Sequence, residues 1–207
     1  MPNSAYTIIF SAIVGTICAA VLVGADMGTE KYIKANQEAE KDRNIMEVLG
    51  ISYPDDATAP ELVDFFEDKL KESTVQGLTV YKYSNAEGTA VAVLFRGSGV
   101  WGPIKGVLAL EPDLRTIRGI AFYEQEETPG LGAKIATEEF TSRFVGKKIG
   151  PPEGGPDEAG MKITPPGQAG GPTEVDGITG ATMTSDRVEK MLNDVISEIV
   201  AKVNGNV

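Results

Sequence analysis

The strongest constraint on this chain is an uncharged run near its N-terminus. Residues 6–25 read YTIIFSAIVGTICAAVLVGA and contain no charged side chain. A helix rises about 1.5 Å per residue, so this run spans about 30 Å, the thickness of the hydrocarbon core of a bilayer. We therefore predict that residues 1–25 form a single, uncleaved membrane anchor.

Other interpretations of the run fit less well. A cleaved signal peptide is disfavoured because residues 1–5 hold no Lys or Arg and because the run is longer than the usual apolar region of such peptides. A buried core helix would need a larger domain to enclose it. A lipoprotein cysteine at Cys18 is disfavoured because Ile17 before it is not small, so we interpret Cys18 as a small membrane-embedded side chain.

Composition excludes several function classes. The 207 residues carry a formal net charge of −11, whereas nucleic-acid binding needs a basic surface. The chain contains no histidine, which excludes Ser-His-Asp and Cys-His catalysis and removes the commonest metal ligand. One cysteine excludes an intrachain disulfide and a thiolate metal cage. We therefore predict no metal site, and any redox chemistry requires a bound cofactor.

Apolar periodicity and turn residues predict an α+β domain over residues 58–207, behind a helical connector over 26–57. Helices are expected at 59–73, 137–145 and 185–203. Strands are expected at 78–84, 89–95, 104–110 and 116–123, with a hairpin turn at 85–88 and a Gly/Pro-rich loop at 150–172 that can hold a short strand at 161–164. We expect a twisted, mainly antiparallel sheet packed by these helices.

Capping residues support the first and last of these helices. Thr58 and Glu61 have the spacing of a capping box, with Pro60 in the first turn. The last helix can be capped by Asp186 with Glu189, or by Thr184 or Ser185 alone.

The segment from Asp176 to Ser185 reads DGITGATMTS and precedes the last helix. Its plain interpretation is a helix cap after a glycine turn. It also fits a ligand site, because the small residues Gly180 and Ala181 allow close approach to the backbone. The amides and the positive dipole end of a helix N-terminus favour an anion, typically a phosphate.

Two further segments carry candidate binding residues. Residues 127–132 read ETPGLG, which is either an ordinary turn after a strand or a loop whose amides contact a flat ring. Trp101, in the segment GSGVWGPI, is either a core aromatic or a stacking partner for such a ring.

The sequence Asp-Gly-x-Thr-Gly-Ala-Thr resembles the flavinylation motif of the FMN-binding domain family, which includes the C subunit of the Na+-translocating NADH:quinone reductase and the G subunit of the Rnf complex. In that family a flavin transferase joins FMN to the last threonine of the motif through a phosphoester. The resemblance implies covalent FMN on Thr182, with Thr179, Gly180, Ala181 and Thr184 around it. Asp176 matches the motif aspartate, which the transferase reads.

The other two segments match the same family. ETPGLG resembles its second signature, the loop that borders the flavin, and Trp101 stands where an aromatic can stack on the ring. The histidine that often precedes this signature is missing here. The resemblance implies FMN contacts from the residues Glu127, Thr128, Pro129, Gly130, Leu131 and Gly132.

The resemblance implies an electron-carrying subunit of a membrane ion-translocating NADH:quinone oxidoreductase, with no independent catalysis. Its partners would be the other subunits, the flavin transferase and the lipid bilayer. Residues 108–123 are more similar to the C subunit of that enzyme than to the Rnf G subunit, which remains the alternative together with a stand-alone membrane-tethered flavoprotein. A binding module that never acquires flavin is a further alternative.

The orientation of the anchor has two conflicting signals. Basic residues follow the apolar run and none precedes it, so the positive-inside rule places the domain in the cytoplasm. These residues are Lys31, Lys34, Lys41 and Arg43. The family resemblance implies a single-pass protein of the cytoplasmic membrane with its domain on the extracytoplasmic side. Because only a few charges oppose it, we adopt the second orientation.

Overall fold

The computed structural model describes residues 4–54, 56–75, 77–85, 88–150 and 160–202. Its α-helices are α1 (Ser4–Leu49), α2 (Ala59–Lys69), α3 (Glu138–Thr141) and α4 (Thr182–Lys202). Its strands are β1 (Lys71–Val75), β2 (Leu78–Asn85), β3 (Gly88–Ser98), β4 (Pro103–Leu110), β5 (Ile117–Glu124), β6 (Lys162–Thr164) and β7 (Glu174–Asp176). The predicted α+β class, with a long apolar N-terminal helix, is confirmed.

Helix α1 is continuous from the apolar run to the domain. By length and composition it can cross a membrane. Its residues are exposed as far as Glu38, whereas apolar side chains from Ala39 onward are buried against the domain. The anchor and the last turns of the predicted connector are therefore one helix, and those last turns belong to the domain core.

Strands β1 to β5 form an antiparallel sheet in which each strand pairs with the next along the chain. The expected pairing of the two strands on either side of the predicted turn, β2 and β3, is confirmed, with Asn85 opposite Gly88. Ala86 and Glu87, at the tip of the predicted turn, lie outside the described residues. The last two predicted strands correspond to β4 and β5.

The prediction of a helix over 59–73 is wrong at its end. The capping box is present, since the Thr58 N–H donates to Glu61 Oε2 at 2.8 Å, but the helix stops at Lys69 and Leu70 is already extended. Residues 71–75 instead form β1, at the edge of the sheet against β2. The sequence KESTV has no apolar alternation, so nothing in it indicates a strand until β2 supplies the pairing.

The sheet buries both of its faces. On one face Val93 and Phe95 of β3 pack with the apolar side of α4, including Leu192 and Ile196. On the other face Ala92 and the small side chains of β4 pack against α1 and α2. Alternation along β3 and β4 sends most of their large residues towards α4 and their alanines towards α1, which lets α1 lie close to the sheet.

The C-terminal elements differ in detail from the prediction. The helix expected at 137–145 is α3 followed by a 3₁₀ turn at Ser142–Phe144, and another 3₁₀ turn at Gly132–Ala136 precedes it. The short strand expected near 161–164 is β6, which pairs in parallel with β7. Residues 151–159 of the predicted loop lie outside the described residues.

Candidate functional site

The three segments singled out from the sequence meet at the N-terminus of α4. They enclose an open cavity of about 320 Å³. Its lining residues are Val100, Trp101, Glu127, Thr128, Leu131, Gly132, Gly180, Ala181, Thr182, Met183 and Thr184. Residues far apart in sequence therefore form one site, which we call the α4 cavity.

Glu127 joins the three segments. Its side chain is buried, and Oε1 accepts hydrogen bonds from the N–H groups of Val100 and Trp101 at 2.8 and 3.2 Å. Its other oxygen, Oε2, accepts a hydrogen bond from the Thr184 hydroxyl at 2.6 Å. One carboxylate thus holds the Trp101 loop, the ETPGLG loop and the first turn of α4 together.

Two glycines make room for this carboxylate. A Cβ atom at Gly132 would lie 2.5 Å from Thr184 Oγ1 and 2.7 Å from Glu127 Oε2, and a Cβ at Gly99 would collide with Glu127 Oε1. Real Cβ atoms do not approach other atoms so closely. Gly99 and Gly132 are therefore required by the packing around Glu127.

The structure separates the hydroxyl groups of the DGITGATMTS segment. Thr184 and Ser185 are buried; the Thr184 hydroxyl bonds Glu127, and the Ser185 hydroxyl accepts from the Ile178 N–H at 3.3 Å. Thr182 is exposed, and its hydroxyl bonds no other described residue. Two threonines of α4 line the α4 cavity, and of these Thr182 is exposed whereas Thr184 is buried.

The predicted capping of this helix is wrong. Helix α4 begins at Thr182, and its first 5→1 bond runs from the Ser185 N–H to the Ala181 carbonyl at 3.0 Å. Ser185 and Thr184 therefore lie inside the first turn, and Glu189 accepts from the Ile163 N–H of β6 at 2.6 Å instead of capping the helix. The amides of the first helical residues consequently lack helical acceptors.

Exposed apolar side chains surround the α4 cavity. Trp101 is 72% exposed, Met183 64% and Leu131 44%, so the core-aromatic interpretation of Trp101 is wrong. Sequence reasoning missed Met183 and Val100, which line the cavity. Met183 directly follows Thr182, and this position next to the motif threonine could have identified it as a cavity residue.

Not every predicted residue lines this cavity. Pro129 and Gly130 lie at an exposed turn outside the lining residues, and Gly130 has a φ of 77° that favours glycine. Thr179 lines a separate cavity of about 300 Å³, together with Asp176 and Arg143.

Asp176 organises its own loop. Its Oδ1 accepts the N–H groups of Gln168 and Ala169 at 2.9 and 3.0 Å, and these bonds hold the pKa of this carboxyl below its usual range, the Ala169 bond contributing most. The Asp176 backbone carbonyl accepts a hydrogen bond from Arg143 at 2.8 Å. Asp176 and Thr182 line different cavities.

Comparison with known proteins fits this geometry. Residues 99–197, which include all three segments, match the family model of the FMN-binding domain. The chain carries an FMN-binding domain.

Related proteins align with most of the chain, beyond the FMN-binding domain itself. The C subunit of the Na(+)-translocating NADH-quinone reductase of Vibrio anguillarum is 29% identical over 84% of this chain and 82% of its own length. The corresponding subunit of Yersinia pestis, which has the same name, is 25% identical over 93% of this chain and 88% of its own length. The chain is therefore similar to these subunits from the N-terminal helix to α4.

Solved structures confirm the fold. The crystal structure of the same subunit from Parabacteroides distasonis superposes with a TM-score of 0.69 at 26% identity, covering 83% of this chain and 94% of that one. The crystal structure of Shewanella oneidensis NqrC superposes with a TM-score of 0.63 at 24% identity, over 77% and 91% of the two chains.

The residues of the α4 cavity fit FMN. The cavity combines an anion-favouring helix N-terminus, an accessible threonine hydroxyl and exposed apolar side chains for a flat ring. Gly180 has a φ of 77°, and a Cβ there would lie 3.3 Å from Leu131, so glycine keeps this edge open. Thr182 and the α4 amides would hold the phosphate end, and Trp101, Leu131 and Met183 would contact the ring.

Proposed function

We propose that this chain is the C subunit of a Na+-translocating NADH:quinone oxidoreductase and that it carries FMN joined to Thr182 by a phosphoester. The observation that carries this proposal is the position of Thr182. Thr182 is exposed as the first residue of α4, and it lines a cavity to which all three family segments contribute.

Similarity supports the assignment to the C subunit. Relatives that carry this name align with the long N-terminal helix as well as with the FMN-binding domain. When bound, FMN supplies one- and two-electron redox chemistry. Within this subunit we assign no residue the role of acid, base or nucleophile in turnover.

The residues of the cavity have binding roles in this proposal. Thr182 provides the tether, and the neighbouring amides and dipole of α4 stabilise the negative charge of the phosphoryl group. The tether retains the cofactor in every redox state, while α1 keeps the domain beside its partner subunits. Because Thr182 is exposed, a flavin transferase can reach it.

The attachment is tested by in-gel flavin fluorescence after denaturing electrophoresis of full-length protein co-expressed with a flavin transferase. The wild type is expected to fluoresce, and Thr182→Ala to be dark. Thr137→Ala is the matched control, since Thr137 is an exposed threonine outside the cavity and should leave the band bright. Intact mass should show one FMN less one water per chain.

Two outcomes would contradict parts of the proposal. A dark wild type beside a demonstrably active transferase would remove the carrier function and favour a module without flavin. A fluorescent Thr182→Ala band would keep the function but move the tether. Thr179 would then be the next residue to test, because Thr184 is buried and bonded to Glu127.

The apolar helix and the membrane-complex relatives indicate a single-pass membrane protein. We propose that its domain lies on the extracytoplasmic side of the cytoplasmic membrane. The opposing signal consists of four basic residues, Lys31, Lys34, Lys41 and Arg43. A reporter fused after Val207 tests the proposed orientation, and activity of a reporter that works only in the cytoplasm would overturn it.

A further inference from the structure

Glu127 is a carboxylate buried in the wall of the α4 cavity. It is 5% exposed, whereas the adjacent Glu126 is exposed to solvent. The nearby Glu124 is paired with Lys105 at 2.7 Å. Among these neighbouring carboxylates, Glu127 is the one whose charge is shielded from water.

No basic side chain among the described residues lies within ion-pair distance of Glu127. Its described side-chain partners are the N–H groups of Val100 and Trp101 and the hydroxyl of Thr184, all of which donate to it. An ionised carboxylate is an acceptor only, so this set of donors suits the negatively charged form. The cavity wall therefore contains a fixed negative charge that hydrogen-bond dipoles stabilise and that pairs with no cation in the described part of the chain.

We propose that Glu127 is a positioning residue whose buried charge lowers the reduction potential of FMN in the α4 cavity. The inference rests on the proposed function. Reduction brings negative charge to the cavity, and a fixed negative charge in its wall opposes that step. Burial weakens solvent screening, so the effect is larger than that of an exposed carboxylate.

A structural role is the competing explanation. The same three hydrogen bonds tie the loops together, so any change at Glu127 could shift the potential by loosening the site. Two substitutions separate these explanations. One removes the charge of residue 127 and keeps the hydrogen bonds, and the other keeps the charge and removes one hydrogen bond.

Glu127→Gln removes the charge and keeps the shape. The amide oxygen can accept the N–H groups of Val100 and Trp101, and the amide NH₂ can donate to the Thr184 hydroxyl, which accepts as readily as it donates. Thr184→Val does the reverse, since it keeps the charge but removes the donor to Oε2. The charge hypothesis predicts opposite shifts, upward for Glu127→Gln and downward for Thr184→Val.

The experiment is spectroelectrochemical measurement of the flavin midpoint potential in the full chain, purified in detergent after co-expression with a flavin transferase. Wild type, Glu127→Gln, Thr184→Val and the control Glu126→Gln are compared at low and high salt. We expect the upward shift of Glu127→Gln to persist at high salt. The smaller shift of Glu126→Gln should vanish there, because that charge is exposed.

The outcomes distinguish this inference from the proposed function. A wild type without covalent flavin contradicts the function itself. A flavinylated wild type with equal potentials in Glu127→Gln and Glu126→Gln overturns the role of Glu127. Shifts of the same sign in Glu127→Gln and Thr184→Val also overturn it and assign a structural role. If Glu127→Gln fails to acquire flavin, an unchanged or raised potential in Thr184→Val alone is sufficient to reject the proposal.

Discussion

At the scale of single residues, the structure shifts the pKa values of two aspartates outside the cavity in opposite directions. Asp42 of α1 is buried, and its Oδ1 receives no hydrogen bond among the described residues, although Lys41 Nζ lies 3.4 Å away. Burial raises the pKa of Asp42. Burial also acts to raise the pKa of Asp113, but hydrogen bonds from the Thr116 hydroxyl and the amides of Arg115 and Thr116 hold it well below its usual range.

Asp42→Asn is expected to stabilise the protein at neutral pH by about 1 kcal/mol, because it removes a buried charge whose oxygen lacks a hydrogen bond. The folded-state pKa of Asp42 lies above its unfolded value, so wild-type stability is lost as pH rises through the folded-state pKa and the carboxylate ionises. The stability gained by Asp42→Asn should therefore shrink as pH falls. Thermal unfolding across a pH series measures it, with the exposed Asp64→Asn as control. A stability loss at neutral pH would contradict this account.

Asp113→Ala is expected to destabilise the protein by about 1–2 kcal/mol at neutral pH, since it removes the hydrogen bonds that shape the turn before β5. A lowered folded-state pKa contributes stability above the unfolded pKa, and that contribution is lost as pH falls through the folded value. The difference between wild type and variant should narrow in acid. A pH-independent difference in denaturant midpoints would show that the charge of Asp113 has no part in it.

At the scale of elements, what the sequence predicted and what it missed have physical reasons. Strands β2 to β5 were predictable because their apolar residues alternate or run continuously between turn residues. Strand β1 was not, because its polar residues become a strand only through pairing with β2. The same limit applies to the site, where the motifs indicated the cavity but not the bond between Glu127 and Thr184, which are 57 residues apart.

Gly106→Ala tests the close packing of β4 against its two neighbouring strands, β3 and β5. A Cβ at Gly106 would lie 2.5 Å from the Ala121 carbonyl oxygen and would collide with the Phe95 ring. Relief requires movement of backbone and of a buried aromatic, so we expect a loss of about 1–3 kcal/mol in the free energy of unfolding. Gly170→Ala is the control, because a Cβ there meets nothing within 4 Å. Equal stability of the two variants would contradict the packing described for β3 to β5.

At the scale of the whole molecule, α1 has two functions in one helix. Its apolar first half can span a membrane, whereas its last turns complete the core on one face of the sheet. The boundary predicted at residue 58 followed the capping box of α2, a local signal that carries no information about what covers the sheet. The domain that packs as a unit therefore begins within α1.

Two truncations test this directly. A fragment of residues 26–207 loses the anchor but keeps every α1 residue that packs on the domain, so it should be soluble and fold cooperatively. A fragment of residues 58–207 also loses Ile45, Met46, Leu49 and Ile51, which are buried against the sheet. At about 1.5–3 kcal/mol for each buried side chain, the loss approaches the whole stability of a typical domain. We expect the shorter fragment to aggregate or lack a cooperative transition by circular dichroism and calorimetry. Equal melting temperatures for the two fragments would show that α1 is only a membrane tether.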